Sequence, residues 1–307
     1  SMDNTTLKKN ANIDLLKVDS FVRYQHLKNM TLDGNSKSSS LLYLNGPNYF
    51  HIENCSFNDN GGVAATTTDA ALYFNRATVT TMTKVFLWRN VRSGYFDQIN
   101  GAIWNDIHHY GGTRADDMLY LGHSGMVINK YNIEMTPSAG STFSSCRNTV
   151  INGINMELDH SVIPITIGAT GNPCKNFSIQ NVHSAKVGTG SALPSILMNN
   201  ASSNISIKNF DATETSGTGT HSGGWIEVGE VFGVSLENIS AWNMGTVIDA
   251  AKLIVTSSVG PDFLSIKNVY GKDAATLATG YLGPLLADNL TISQTNFDIT
   301  LHASSTN

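Results

Sequence analysis

The sequence has few charged residues, few prolines and very few cysteines. Of its 307 residues only 14% are Asp, Glu, Lys or Arg, and its net charge of −5 comes without a basic cluster, which argues against a nucleic-acid partner. Three scattered cysteines are too few for a disulfide framework or a zinc site, and we expect neither a metal nor a cofactor. No apolar run reaches the roughly 18 residues that a membrane-spanning helix needs, so no membrane insertion is predicted.

The chain is instead rich in small polar residues and in copies of one short unit. The unit reads Asn-aliphatic-x-Ile-x-Asn-apolar, and apolar residues alternate with polar ones inside it, which is the pattern of a β-strand. Clear copies lie at 176–182, 204–210, 234–239 and 264–269, with weaker copies at 50–55 and 127–131. Stacked copies of one unit predict a solenoid.

Aligning the central Ile of each unit gives a column of residues that should point inward. Successive members are 16 to 36 residues apart, a second apolar run lies upstream in most coils, and no helical pattern intervenes. These features predict an all-β, right-handed parallel β-helix of about 10–11 coils that forms a single domain over residues 1–307. The column is Leu27, Ile52, Trp88, Trp104, Ile128, Ile151, Ile179, Ile207, Leu236, Ile266 and Ile292.

The residue two positions after each member of the column is usually a turn-forming or amide residue. Asparagine tolerates left-handed backbone angles, so it suits a bend between two sheets. Amide side chains at the same place on successive coils can also hydrogen-bond to one another, and we expect such a ladder here. The positions are Asn29, Asn54, Asn90, Asp106, Lys130, Gly153, Asn181, Asn209, Asn238, Asn268 and Gln294.

The repeat begins and ends close to the two ends of the chain. Apolar strand patterns start at 15–18 and continue to 290–294. A free β-helix needs cover over its end coils, because open ends present unpaired strand edges. We therefore expect a fragment of a longer chain, or ends that other chains cover.

The entry into the repeat resembles a known group of proteins. Thr31-Leu32-Asp33-Gly34-Asn35, followed by asparagine-punctuated coils, resembles the pectate-lyase-like β-helices of bacteriophage tailspikes, over essentially the whole chain at the level of fold. This resemblance implies a homotrimer on the virion tail, outside the cell, whose partner is a bacterial surface polysaccharide such as a capsule or an O-antigen. Tailspikes of this class bind the polysaccharide and often cleave it.

Cleavage of a glycosidic bond needs two carboxyl groups, one protonated and one ionised. Asp97, followed nineteen residues later by Asp116-Asp117, resembles the arrangement of aspartates in polygalacturonases. The chain departs from that family because no Asn precedes Asp97 in the motif and no His occupies the place near 138–140. These departures argue against polygalacturonase activity, although a different glycosidase could reuse the double aspartate. The alternative is that Asp116-Asp117 forms a solvated turn.

The register of the repeat gives a second pair of carboxyl groups. Glu134 and Glu157 occupy the same place on successive coils, so they should stack about 5 Å apart. Two carboxylates that close raise one of the two pKa values, which gives the split that acid/base catalysis requires. The separation of about 5 Å also suits a retaining mechanism. The alternative is that both side chains splay into water.

Aromatic side chains supply a predicted sugar-binding face. Tyr43, Tyr73, Tyr95 and Tyr120 take the outward place of similar strands, where their rings could stack on pyranose faces or merely support the sheet. We add His123, six residues after Asp117, as a substrate-binding candidate.

Two functions follow. The first is a tailspike-type depolymerase, most simply a glycoside hydrolase, with a polysaccharide lyase as its variant. The second is a non-catalytic adhesin that only holds a glycan.

Overall fold

The computed structural model describes residues 5–19, 23–61, 69–112, 117–134, 140–158, 162–169, 171–186, 193–214, 225–242, 252–256, 263–272, 276–277 and 285–293. Within these ranges the chain forms strands, turns and bends, without a helix. Accordingly, no helix able to cross a membrane is found in this part of the chain.

Long strands make the first sheet. In the described residues it holds twelve strands, which lie side by side in their order along the chain. They are β1 (Thr5–Lys8), β3 (Arg23–Asp33), β5 (Asn48–Asn58), β7 (Thr78–Trp88), β9 (Ile103–Tyr110), β11 (Ser124–Glu134), β13 (Arg147–Leu158), β15 (Lys175–Lys186), β17 (Ser202–Glu214), β19 (Val231–Trp242), β21 (Leu264–Lys272) and β23 (Leu285–Ser293).

Short strands make the second sheet and alternate with the long ones along the chain. The described part of this sheet has eleven strands, again in chain order. They are β2 (Leu16–Val18), β4 (Leu42–Asn45), β6 (Leu72–Asn75), β8 (Gly94–Asp97), β10 (Met118–Leu121), β12 (Ser141–Ser144), β14 (Ile165–Ile167), β16 (Ile196–Met198), β18 (Ile226–Val228), β20 (Lys252–Thr256) and β22 (Thr276–Leu277).

One short and one long strand make each coil, so every strand lies beside the corresponding strand one coil away. The chain is therefore an all-β, right-handed parallel β-helix, as predicted. The prediction of a single domain stays a prediction. The contacts divide the chain into a first unit, Ser1–Thr142 with Cys146–Asn152, and a second unit, Phe143–Ser145 with Gly153–Asn307.

The long strands bend at the predicted asparagine column. Nine of the predicted residues have a positive φ, between 52° and 76°, and they are Asn29, Asn54, Asp106, Lys130, Gly153, Asn181, Asn209, Asn238 and Asn268. A second bend, which the sequence reading missed, lies five residues before eight of these nine, for example at Asn176 and Asn204 (φ 54° and 55°). Eight of the long strands, β3, β5, β7, β11, β13, β15, β17 and β19, are thus three straight segments joined by two left-handed residues.

The amide ladder is confirmed where asparagines follow one another. Asn54 donates to the side-chain oxygen of Asn29 at 2.8 Å in the first unit. In the second unit Asn209 donates to Asn181, Asn238 to Asn209 and Asn268 to Asn238, at 2.8, 2.8 and 2.9 Å. The carboxamide therefore serves both the bend and the contact between coils.

Two predicted positions in the third coil are wrong. Met82, and not Trp88, pairs with Ile52 and Trp104 in the inward column, and Trp88 is 43% exposed. Lys84, at φ 53°, makes the bend that was assigned to Asn90. The reason is that β7 continues past the bend at Lys84 as far as Trp88. Two inward residues, Val85 and Leu87, lie between that bend and Trp88.

The last coil differs in the same way. Ile266 pairs with Ala287, so Ile292 does not continue the inward column. Gln294 lies outside the described residues.

Each unit has its own buried core. In the first unit Trp104 is fully buried, as predicted, and packs against Phe96 and Tyr120 with ring centroids 4.8 and 5.7 Å away. In the second unit the inward column runs through Ile179, Ile207, Leu236 and Ile266. The side chains of all three cysteines are buried, as predicted for Cys55.

Candidate functional site

The tyrosine ladder, defined as Tyr43, Tyr73 and Tyr95, lies on the outer face of β4, β6 and β8. The three residues pair directly in the sheet, and their neighbours Leu42, Leu72 and Gly94 are buried. Ring centroids are 4.6 and 5.1 Å apart, and the planes are within 5° and 3° of parallel. Because the rings stack on one another, both faces of Tyr73 are covered, and the ladder presents ring edges and hydroxyls to solvent.

Tyr120 does not belong to this ladder. It pairs with Phe96 and is fully buried, whereas Leu119 takes the place beside Tyr95. The strand begins with the buried Met118, so alternation turns Tyr120 inward. The prediction of an outward Tyr120 is therefore wrong.

A ladder of amides and carboxylates runs beside the tyrosine ladder. Asn75 donates to Asn45 at 3.0 Å, Asn45 donates to Asp19 at 2.8 Å, and Asp97 pairs with Asn75 in the sheet. Burial raises the pKa of Asp97, and the nearby Arg76 partly opposes this effect. Asp97 therefore holds a proton more readily than a free aspartate does.

Asp117 lies inside the coil. It is fully buried, it accepts a hydrogen bond from the backbone N–H of Ser93 at 2.7 Å, and it contacts His109 Nε2. His109 Nδ1 in turn lies 3.3 Å from the Tyr131 hydroxyl. This internal network holds together two adjacent coils and keeps the carboxylate of Asp117 away from the surface.

The other predicted residues fall in different places. His123 is buried, hydrogen-bonded through Nε2 to the Phe96 carbonyl at 3.2 Å, and burial lowers its pKa to about 4, so it is neutral at pH 7. Asp116 lies outside the described residues. Glu134 is the half-buried last residue of β11, and Glu157 is exposed on β13 in the second unit. Their stacking stays a prediction.

A second outer face of the first unit carries four aromatic rings. Phe86 and Trp88 on β7 pair with His108 and Tyr110 on β9, and we call these four residues the aromatic patch. Phe86 stacks on His108 with centroids 4.6 Å apart, and Trp88 stacks on Tyr110 at 4.0 Å and 7°. Phe86 and Trp88 are 44% and 43% exposed, so both side chains present apolar ring surface to solvent.

Polar side chains border the aromatic patch on both neighbouring coils. Ser56 and Asn58 pair with Phe86 and Trp88 on one side, and Asn132 and Glu134 pair with His108 and Tyr110 on the other. His108 is held in place, since its Nε2 lies 3.2 Å from Asp106 Oδ1 and its Nδ1 lies 3.5 Å from Asn132 Nδ2. The result is an apolar centre with hydrogen-bonding groups at its two ends.

The sequence reading missed the aromatic patch because it placed Trp88 in the core. Strand alternation carried the signal: Phe86-Leu87-Trp88 and His108-His109-Tyr110 put an inward residue between two outward aromatic ones, 22 residues apart on successive coils. Because Leu87 and His109 are buried, alternation along each strand places the residues on either side of them, and so all four rings, on the outer face.

Comparisons with known proteins show the fold and no family. No family model matches the sequence, and no curated protein does. Among solved structures, the chain is similar to the A-module of the mannuronan C-5 epimerase AlgE6 of Azotobacter vinelandii, with a TM-score of 0.56 and 12% identity. The similarity covers 95% of this chain and 89% of that chain.

Proposed function

We propose that this β-helix binds a bacterial surface polysaccharide across the aromatic patch. The observation that carries the proposal is the exposure of Phe86 and Trp88 beside His108 and Tyr110, four stacked rings on one face. The similar fold belongs to a protein named for its action on mannuronan, a polysaccharide, which supports a glycan as the partner. The acidic net charge and the lack of a basic cluster agree with a partner other than nucleic acid.

The chemistry of the patch suits a sugar chain. Exposed Trp and Tyr rings offer apolar area together with an N–H or O–H group, which matches the mixed surface of a pyranose. Few rotamers are lost on binding, because each ring is already fixed by its stacked neighbour. Asn58, Asn132 and Glu134 lie where they can hydrogen-bond to sugar hydroxyls on either side of the rings.

A second proposal is hydrolysis, as in a tailspike-type depolymerase. It is favoured by Glu134, a carboxyl group directly beside Tyr110 at the edge of the aromatic patch. A glycosidase needs a second carboxyl, for which Glu157, one coil further in the sequence register, is the proposed partner. In this proposal the chain is part of a homotrimer on the virion tail.

Asp97 lies on the other sheet, beside the tyrosine ladder. Because its pKa is raised, it is the carboxyl group to test on that face.

Binding is tested by measuring the retention of the protein on a panel of capsular and O-antigen polysaccharides. Trp88→Ala should weaken binding at least tenfold, the effect of losing about 1.4 kcal/mol from a central aromatic contact. Tyr73→Ala, which removes an aromatic side chain from the other sheet, is the matched control and should bind like the wild type. Loss of binding in Tyr73→Ala with full binding in Trp88→Ala would move the site to the tyrosine ladder.

Hydrolysis is tested on whichever polysaccharide binds, by mass spectrometry of the products. A product that has gained water marks hydrolysis, an unsaturated uronate marks elimination, and intact polymer marks binding alone. Glu134→Gln should abolish cleavage and keep binding. If Glu134→Gln and Glu157→Gln both cleave at the wild-type rate, these glutamates are not the catalytic pair.

A further inference from the structure

Two histidines and a glutamate meet on the outer surface of the first unit, away from the aromatic patch. His26 on β3 pairs directly with His51 on β5, and Glu53 follows two residues later on the same face of β5. The imidazole centroids are 4.5 Å apart. We call His26, His51 and Glu53 the histidine cluster.

Three potential ligand atoms of the cluster converge. Glu53 Oε2 lies 3.5 Å from His26 Nε2 and 3.6 Å from His51 Nε2, and one ligand atom from each residue lies within 4.8 Å of the other two. About a third to a half of each side chain is exposed, so the site is open to ions from solution.

The environment of His51 orients its ring. His51 Nδ1 is hydrogen-bonded to Thr81 Oγ1 on the next coil. When Nδ1 carries the proton and donates it to this hydroxyl, the lone pair of Nε2 faces Glu53 Oε2. Two acceptors facing each other repel unless a proton or a metal cation lies between them. A hydrogen bond on the far nitrogen of a histidine is also the usual support of a metal-bound imidazole.

We propose that the histidine cluster binds a divalent late transition-metal ion of the Zn²⁺ class. Bond lengths of about 2.0–2.2 Å in a tetrahedral zinc site place the ligand atoms about 3.3 Å apart, close to the two observed nitrogen-to-oxygen distances. The imidazole ligand atoms lie within 4.8 Å of each other, so the two rings must move closer together to reach this spacing. Imidazole nitrogens with one carboxylate oxygen select Zn²⁺, Ni²⁺ or Cu²⁺ over Ca²⁺ and Mg²⁺, which prefer all-oxygen sites.

Three protein ligands leave a fourth position open, as in zinc sites that bind a water or a small ligand. A cavity of about 310 Å³ lies beside the cluster, and both histidines, but not Glu53, line it. Tyr24 and Tyr49 also line it and stack on each other at 5.0 Å, giving the cavity an aromatic wall. The cavity offers room for a small anion or a sugar group beside the metal.

Lys28 has a separate effect on the site. Its ammonium lies 2.9 Å from Glu53 Oε1, the carboxylate oxygen that faces away from the imidazoles. This contact leaves Oε2 free to bind a metal, but the positive charge repels a divalent cation. Removing the charge should therefore tighten metal binding, whereas a simple ion-pair network would give no metal binding in either form.

The test is calorimetric titration of the full chain with ZnCl₂, after treatment with a chelator and its removal. The wild type should bind one Zn²⁺, and Ca²⁺ should give no saturable binding. His51→Ala should weaken Zn²⁺ binding at least tenfold, and Lys28→Met should strengthen it several-fold. His183→Ala is the matched control, because His183 faces Asp211 at 3.4 Å in an exposed pair on the second unit, and it should bind Zn²⁺ like the wild type.

Three outcomes would overturn the proposal: no saturable Zn²⁺ binding by the wild type, unchanged binding in His51→Ala, or an equal loss in His183→Ala. Since His51→Ala removes an exposed side chain, thermal unfolding should show it folded. Should it unfold, His26→Gln provides the same comparison from the neighbouring strand.

Discussion

At the scale of single residues, the asparagines do two tasks at once. A non-glycine residue with positive φ is uncommon because its Cβ crowds the following carbonyl oxygen, and asparagine pays less for this conformation than most residues. The same side chain then spans the distance to the next coil, as Asn209 does between Asn181 and Asn238. Conformation and hydrogen bonding can therefore be separated by substitution.

Asn209→Gly and Asn209→Ala should differ in stability. Glycine keeps the left-handed backbone and loses only the two amide hydrogen bonds, at a cost of about 1 kcal/mol for exposed groups. Alanine loses the same bonds and must also adopt φ near 54°, which costs about 1–2 kcal/mol more. Midpoints of urea unfolding check this order, and equal midpoints for the two variants would contradict it.

Lys9 should make stability rise with pH on the alkaline side. Its ammonium is buried and hydrogen-bonds to the carbonyls of Ser38 and Ser39 at 2.9 and 2.8 Å, while burial lowers its pKa from 10.5 to about 8. Between these two values the unfolded chain holds a proton that the folded chain has released. Unfolding then takes up a proton, so the free energy of unfolding increases with pH, by at most about 1.4 kcal/mol per pH unit.

Lys9→Met removes this titration and serves as the comparison. Denaturant unfolding between pH 8 and pH 10.5 should show a more positive pH slope for the wild type than for the variant. The same slope in both proteins would mean that Lys9 keeps an ordinary pKa in the folded state.

At the scale of strands, alternation decides which side chains reach solvent. In β7 the buried Leu87 and the exposed Trp88 are neighbours, and an error of one position exchanges them. The same error placed Tyr120 outside, because the reading aligned Tyr120 with Tyr95, whereas the sheet pairs Tyr95 with Leu119.

Paired substitutions in β7 test this register. Leu87→Asn buries an amide in the core without a planned partner and should lower stability by about 2 kcal/mol or more. Trp88→Asn replaces a half-exposed ring and should lower it by much less. Thermal unfolding of the two variants gives the comparison. A larger loss of stability for Trp88→Asn would mean that Trp88, and not Leu87, lies in the core.

The elements were predictable to the extent that their pattern repeats. The solenoid, the bends at nine of the predicted positions and the inward column from Ile179 to Ile266 follow from a unit whose alternation is strict. The third coil was not predictable by the same rule, because Met82-Thr83-Lys84 has neither the Ile nor the Asn of the unit. Asn90, which the spacing predicts as the bend of this coil, is buried and donates to the Phe57 carbonyl at 2.9 Å.

At the scale of the whole molecule, the β-helix repeats side chains on adjacent coils and so builds faces from single residues. Tyr43, Tyr73 and Tyr95 form one such face, and the aromatic patch forms another. Sequence spacing found the first of these faces. It could not show that the tyrosine rings cover each other, since ring orientation depends on packing between coils. The aromatic patch is the better candidate for a glycan because Phe86 and Trp88 are 44% and 43% exposed, whereas the three tyrosines are only partly exposed.

The central claim is that a polysaccharide covers the aromatic patch, and the oxidation of Trp88 by N-bromosuccinimide tests it most directly. Trp88 is 43% exposed, whereas Trp104 and Trp225 are fully buried, so peptide mass spectrometry should show oxidation of Trp88 well before that of Trp104 or Trp225. A saturating amount of a polysaccharide that the protein retains should slow oxidation of Trp88 several-fold. Oxidation of Trp88 at the same rate with and without the bound polysaccharide would contradict the account.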